Sequence, residues 1–394
     1  MIKNIHLRRT GWGVLILIAL ISFSFGSAPE AVRGKMQQGL LIQKSSPATA
    51  VERIPDSIRH KLDSLVHGLA KTGKCRITVK VTDPRGASYY SGYDGRTGKV
   101  ISDFSQPVEI GSCSKMFTAT SILQLVEQNK IGLEDKLTDL LDAPELLEGL
   151  MATDSADYLG EIHLKNLLNH TSGLPEYFLD DDDMEVGVYG DSTLRFTPAQ
   201  LVRLAKRLHK PQFRPGEEFK YTNTNYILLG MILEQHTRGS FQEYIQQNIL
   251  NKANLQHTFF PSIQPVPGRA PGYWKGRPSE IPATLAGAAG EMVSTLDDMD
   301  HFIRAWARGD FFASPAMMEQ VRTQEFNPMG GGLYYGMGTI NMFGSFGHAG
   351  QTFGFQSYMN SLPTGSSFAL AIDDAGVPAW PVAMGVQRLL IGLE

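Results

Sequence analysis

The sequence predicts an α+β fold, in which an antiparallel sheet is built from both chain ends, is flanked by helices and encloses a mostly helical middle lobe. Alternating apolar residues occur near residues 76–93 and again after residue 333, and this period of two is typical of strands. Residues 133–321 instead show helical periodicity and many loops. Short connections between the C-terminal strands favour antiparallel pairing.

The N-terminal part of this domain is predicted to be a helix, a hairpin and a second helix. Apolar side chains on one face indicate a helix that begins at Asp56 and ends at Gly73. Arg76–Thr82 and Ala87–Tyr93 follow as strands, and an amphipathic helix runs from Ser112 to Lys130. Later helices are predicted at Leu164–Leu168, at Thr197–Leu208, after Tyr226 through Ile232, from Ser240, and from Ser294 to about Ala307. The C-terminal strands are predicted at Leu333–Met342, Ser345–His348, Phe355–Leu362 and Phe368–Ile372, with a closing helix from Val377 to about Leu393.

The N-terminus has the pattern of an export signal. Basic Lys3, Arg8 and Arg9 precede an apolar run, Trp12–Phe25, and small residues then end at Ala28. The pattern predicts a signal peptide over residues 1–28, a linker over 29–55 and a folded domain over 56–394. We expect an exported protein, periplasmic or extracellular, in which an uncleaved N-terminal anchor is the alternative to cleavage.

Composition narrows the function classes. The net charge of −4 with no basic block argues against nucleic-acid binding. The ten histidines show no metal-ligand spacing, so we expect neither metal nor cofactor. Two cysteines are too few for a disulfide framework; a Cys75–Cys113 bridge is one option, and a small buried apolar role for Cys113 is the other. The run Asp180–Asp183 is typical of a solvated loop.

The candidate nucleophile is Ser112 at the start of its helix. Lys115 lies three residues on, hence on the same face, and a hydroxyl beside an amine is half of a covalent acyl-transfer site. An ordinary helix cap is the alternative role for Ser112.

Three downstream stretches offer the remaining groups. Tyr221 and Asn223 place a phenol and an amide two residues apart. His348 is followed by Gly350 and Gln351 at a strand edge, where a glycine allows close backbone approach. The stretch His170-Thr171-Ser172-Gly173 is typical of an architectural turn.

Taken together, these motifs resemble the serine beta-lactamase and penicillin-binding protein family. The likeness is greatest to the branch that holds class C beta-lactamases, D,D-carboxypeptidases, D-aminopeptidases and esterases. The segments that carry it are Ile110–Thr118, Leu164–Pro175, Phe213–Tyr226, Gly287–Met299 and His348-Ala349-Gly350.

The resemblance implies the beta-lactamase/transpeptidase-like fold and a division of roles. Ser112 is the implied nucleophile, Lys115 and Tyr221 share proton transfer, and Asn223 holds the lysine amine and a substrate amide. His348 stands where many relatives have lysine. The backbone N–H groups of Ser112 and Gln351 are the implied oxyanion hole.

We therefore expect an exported serine hydrolase that acts on D-amino-acid peptides or related amides and esters, with cell-wall peptide among the candidate substrates. An esterase or class C-like beta-lactamase with the same residues is the nearest alternative. A non-catalytic penicillin-binding sensor is the alternative from another class. An unrelated α/β-hydrolase is disfavoured because the chain contains no Gly-x-Ser-x-Gly elbow.

Overall fold

A computed structural model describes residues 53–178, 194–274, 276–279, 282–323 and 327–391. Within these residues the main sheet has nine strands: β1 Arg76–Thr82, β2 Ser88–Asp94, β3 Lys99–Val100, β8 Asn327–Gly330, β9 Leu333–Tyr335, β10 Ile340–Met342, β11 Ser345–Gln351, β12 Gln356–Ser361 and β13 Ser367–Ile372. Their order in the sheet is β3-β2-β1-β13-β12-β11-β10-β9-β8, and every adjacent pair is antiparallel. Two small ribbons pair β4 Val108–Glu109 with β7 Val293–Ser294, and β5 Tyr273–Trp274 with β6 Arg277–Pro278.

The sheet joins the two chain ends, as predicted. Strand β1 pairs with β13 from Ile77↔Ile372 to Thr82↔Ser367. The α-helices of the described residues are α1 Asp56–Gly73, α2 Ser114–Glu127, α3 Leu137–Leu140, α4 Pro144–Leu147, α5 Leu164–Leu168, α6 Pro198–Leu208, α7 Asn223–Thr237, α8 Phe241–Ile245, α9 Leu296–Arg308, α10 Pro315–Thr323 and α11 Trp380–Ile391. Helices α3 to α10 lie between the two groups of sheet strands in sequence, so the predicted helical middle is present. None of the helices in the part of the chain that the structure describes is long and apolar enough to span a membrane.

Two hydrophobic cores lie on opposite faces of the sheet. Alternation along β13 sends Phe368, Leu370 and Ile372 to the core that contains α1 and α11. Ala369 and Ala371 face the larger core, which contains α2, α7 and α9. Helix α9 packs against β13 on this face, where these side chains are small.

Helix α2 differs from the amphipathic helix that the sequence predicts. All its residues from Ser114 to Leu125 are buried, so the polar face is not solvated. Donors on that face bond to protein carbonyl oxygens instead: Thr118 Oγ1 donates to Ala288 O at 2.7 Å, and Gln124 Nε2 donates to Phe311 O at 2.8 Å. The helix therefore runs through the centre of the domain.

Several predicted boundaries were wrong. The single strand predicted over Leu333–Met342 is two strands, β9 and β10, joined by a turn in which Gly338 has φ +80°. Helix α7 begins at Asn223, ahead of the predicted start. Ile54 is only 2% exposed, so it packs in the domain and does not belong to the predicted linker.

Candidate active site

Ser112 is presented on one turn of 3-10 helix, Gly111–Cys113, that leads into α2. The N-cap residues of this turn and of α2 are Ile110 and Cys113, so Ser112 caps neither helix and the ordinary cap role is wrong. Gly111 has φ +48°, and a Cβ there would lie 2.8 Å from Gln351 N. Only glycine therefore lets this turn pack directly against the end of β11.

Lys115 is the buried centre of the site. Its side chain is 0% exposed, and Nζ lies 3.0 Å from Ser112 Oγ. The same nitrogen donates to Asn223 Oδ1 at 2.7 Å and to Ala289 O at 2.7 Å. A neutral amine has two N–H groups for the two carbonyl oxygens, which leaves its lone pair for the serine hydroxyl.

The surroundings favour that neutral amine. Burial lowers the pKa of Lys115 to about 7, against the smaller opposing effect of the nearby Glu176 carboxylate. A lysine with this pKa can accept a proton near neutrality.

Tyr221 lies beside the Lys115 amine, and its pKa is shifted in the opposite direction. Lys115 Nζ is 4.8 Å from the centre of the Tyr221 ring. Burial raises the pKa of Tyr221 well above its usual value, although the neighbouring Ser112 hydroxyl lowers it. The phenol is therefore neutral at physiological pH, and a neutral phenol is suited to passing a proton and not to removing one from Ser112.

Asn223, at the start of α7, is held by a residue that sequence reasoning missed. Glu176 Oε2 accepts from Asn223 N at 2.7 Å and from Asn223 Nδ2 at 3.1 Å. Its other oxygen accepts from the backbone N–H groups of Tyr177 at 2.8 Å and Phe178 at 3.1 Å. The one sequence signal was an acidic residue directly after Pro175, and that has no specific meaning by itself.

His348, on β11, is locked by two hydrogen bonds. Tyr335 Oη donates to His348 Nε2 at 3.0 Å, and His348 Nδ1 donates to Ala349 O at 2.5 Å. Burial and the nearby Lys115 lower the pKa of His348 to about 3. This histidine is thus a neutral, 1% exposed side chain and supplies no positive charge. Tyr335 was not predicted as part of the site.

His170 packs against the segment that contains Tyr221 and Asn223. Its ring centre lies 4.2 Å from that of Tyr221, and its Nδ1 accepts from Thr222 N at 3.3 Å and from Asn225 Nδ2 at 3.0 Å. The residue has φ +60°. The turn expected to be architectural therefore packs directly against a candidate proton-transfer group.

Gly350 allows strand β11 to pack closely against the backbone of Ile110. A Cβ at this position would lie 1.9 Å from Ile110 O and 2.4 Å from Ser357 Oγ. Ser357 Oγ, on the neighbouring strand β12, also donates to Ile110 O at 2.8 Å, so the residue before Gly111 is held against both strands. This contact places the Gln351 backbone beside Gly111, next to Ser112.

Both cysteines are free and buried, and each lies in a different hydrophobic core. The optional Cys75–Cys113 bridge is therefore wrong, and the small buried role of Cys113 is present. Burial raises the pKa of the Cys113 thiol to about 12, so it is no competing nucleophile. The Asp180–Asp183 run lies outside the described residues.

A serine hydroxyl facing a buried amine, on a turn packed against the antiparallel sheet of a beta-lactamase/transpeptidase-like fold, is an arrangement suited to covalent acyl transfer. The Beta-lactamase family model matches residues 77–371, and the chain belongs to that family. Its relatives and structural neighbours are D-amino acid amidases, penicillin-binding proteins and beta-lactamases.

Individual relatives are distant. Penicillin-binding protein 4* of Bacillus subtilis is 26% identical over 306 residues, which cover 72% of this chain and 63% of the relative. The chain spans only 31% of Protein flp of Staphylococcus aureus, to which it is 29% identical over 172 residues. The D-stereospecific amidohydrolase of Streptomyces sp. superposes with a TM-score of 0.70 at 26% identity, over 84% of this chain and 98% of that chain. The D-amino acid amidase of Ochrobactrum anthropi SV3 shares the fold, with a TM-score of 0.72 at 21% identity over 86% and 99% of the two chains.

Proposed function

We propose that this protein hydrolyses amides or esters of D-amino acids and small D-amino-acid peptides through an acyl-enzyme on Ser112. The observation that carries the proposal is the set of three neighbours around Lys115 Nζ: two carbonyl oxygens and the Ser112 hydroxyl. That set suits a neutral amine acting as general base.

In the proposed reaction, Lys115 takes the Ser112 proton while Oγ bonds to the substrate carbonyl carbon. The proton then moves to the leaving amine or alcohol, through the Tyr221 hydroxyl, as the C–N or C–O bond breaks. Water releases the acid by the reverse proton route and regenerates Ser112. The backbone N–H groups of Ser112 and Gln351 are proposed as the oxyanion donors.

The lack of charge on His348 favours amide and ester substrates over peptides that the enzyme would have to bind through their C-terminal carboxylate. A neutral imidazole with both nitrogens occupied offers no cation to such a group. Likeness to the D-stereospecific amidohydrolase supports the same choice.

The first experiment is intact-mass analysis after treatment with a fluorophosphonate, and separately with a penicillin. We expect a stoichiometric fluorophosphonate adduct on the wild type and none on Ser112→Ala. Hydrolysis of D-phenylalanine amide, its L enantiomer and a D-alanyl-D-alanine peptide then ranks the substrate classes. No adduct on the wild type, with no turnover of any of the three, would refute the enzyme and favour a non-catalytic binder.

We also propose that the protein is exported, on the basis of the charged and apolar pattern before Ala28. Fractionation of cells that express the full chain, with N-terminal sequencing of the product, tests this. Retention of an intact N-terminus in the cytoplasm would refute it.

A further inference from the structure

We propose that Glu176 is a positioning residue of the active site: its carboxylate fixes the orientation of the Asn223 side-chain amide, so that Oδ1 faces Lys115. This inference rests on the proposed function, because the amide matters through the lysine that serves Ser112. The hydrogen bonds of Glu176 go to Tyr177, Phe178 and Asn223 and not to Ser112, so we assign it no direct chemical role.

The argument begins with the symmetry of an amide. Asn223 could present either Oδ1 or Nδ2 to Lys115, and the two orientations occupy almost the same space. Only Oδ1 can accept from Nζ at 2.7 Å. In the flipped orientation two donors would meet, and the lysine would lose one of its two carbonyl partners.

Glu176 selects between these orientations because its two oxygens can only accept. Oε2 accepts from Asn223 Nδ2 at 3.1 Å, which turns the amide oxygen towards Lys115. The same oxygen accepts from Asn223 N at 2.7 Å, so backbone and side chain at the start of α7 are held by one atom.

All four N–H donors around Glu176 require acceptors. Tyr177 N and Phe178 N occupy Oε1, and the two Asn223 donors occupy Oε2. Burial raises the pKa of Glu176, but a proton on either oxygen would face an N–H group, so the hydrogen-bond geometry fits a carboxylate. A glutamine has one oxygen and one NH₂ group, and it must turn donors towards one of the two pairs.

The same carboxylate also acts on Lys115 through its charge. Glu176 raises the pKa of Lys115 against the larger lowering by burial. The other titratable groups that face Lys115 are Cys113, His170, Tyr221, Tyr226 and His348. Among these neighbours Glu176 carries the negative charge, because burial keeps the thiol and the phenols protonated and the imidazoles neutral.

The test is the second-order rate constant for fluorophosphonate labelling of Ser112, measured from pH 5 to pH 9.5. We expect Glu176→Gln to reduce the high-pH plateau on the order of 10- to 100-fold, as displaced catalytic groups commonly do. We also expect the midpoint of the pH profile to move below that of the wild type, because the charge that favours the ammonium is gone. A plateau and a midpoint that both equal the wild-type values would overturn the proposal.

A double-mutant cycle separates positioning from a general structural effect. If Glu176 acts through Asn223, adding Glu176→Gln to Asn223→Ala should change the plateau less than twofold. Fully multiplicative losses would overturn the proposal. If Glu176→Gln does not fold, Glu176→Asp carries the test: it keeps the charge but withdraws the carboxylate, so the plateau should fall with little change in midpoint. An unchanged plateau for that variant would overturn the proposal in the same way.

Glu127 provides the matched control on the same helix as Lys115. Its carboxylate accepts from Ala313 N at 2.8 Å and Ser314 N at 2.7 Å, at the far end of α2. Glu127→Gln should lower the melting temperature comparably and leave the labelling profile unchanged. Failure of the wild type to label at Ser112 would instead refute the proposed function, so the two failures are distinguishable.

Discussion

The pH dependence of Ser112 acylation is the most direct consequence of the buried amine. Burial lowers the pKa of Lys115 to about 7 from 10.5. At pH 7 about half of such an amine is neutral, compared with about 0.03% at the ordinary value, which is roughly a thousandfold difference in available base. The labelling rate should therefore rise about tenfold per pH unit below pH 6, pass a midpoint near 7 and level off above about pH 8.

The assay is fluorophosphonate labelling of the full chain, followed by intact mass at each pH. Lys115→Arg serves as the control, because a guanidinium stays protonated throughout the range and should abolish the rise. A midpoint near 10, or a flat profile between pH 5 and pH 9, would refute the assignment of Lys115 as the base. Circular dichroism at each pH shows whether the fold persists.

Three further predictions concern packing and buried polar groups. Gly350→Ala places a methyl group 1.9 Å from a backbone carbonyl oxygen, so urea denaturation should show a loss of at least about 1–3 kcal/mol, and labelling should slow; wild-type values of both would contradict the packing argument. Tyr335→Phe leaves His348 Nε2 without its donor and should cost about 1–3 kcal/mol, whereas the same change at Tyr334, which is 45% exposed, should cost little. Burial raises the pKa of Glu291 to about 7 from 4.5, so its contribution to stability is fully present below pH 4.5 and is lost as the pH rises through 7. Glu291→Gln should thus raise the melting temperature at pH 8 but not at pH 4.5, and an equal effect at both would contradict it.

Much of the fold could be predicted because local patterns and global packing agree. Strand β1 matches the predicted Arg76–Thr82, and helix α5 matches the predicted Leu164–Leu168. Helix α2 departed from expectation because a polar side chain can be buried when a distant carbonyl satisfies it. No periodicity identifies that partner; the Gln124 partner, for example, is Phe311 O.

In the candidate site, too, some residues could be predicted from the sequence and others could not. Ser112, Lys115, Tyr221 and Asn223 could be named from motifs, and the structure brings them together. Glu176 and Tyr335 could not, because each touches the site through a neighbour and no spacing rule specifies such a contact. His348 was found by position, but its lack of charge depends on its burial and on the nearby Lys115.

The pairing of β1 with β13 has a consequence for the order in which this chain folds. Until the ribosome has delivered Ser367–Ile372, strand β1 has β2 on one side and an open edge on the other. Contacts between residues so far apart in sequence close slowly and late. The sheet of a nascent chain therefore stays open until β13 has been synthesised, and that leaves time for a chaperone to engage it before the sheet closes.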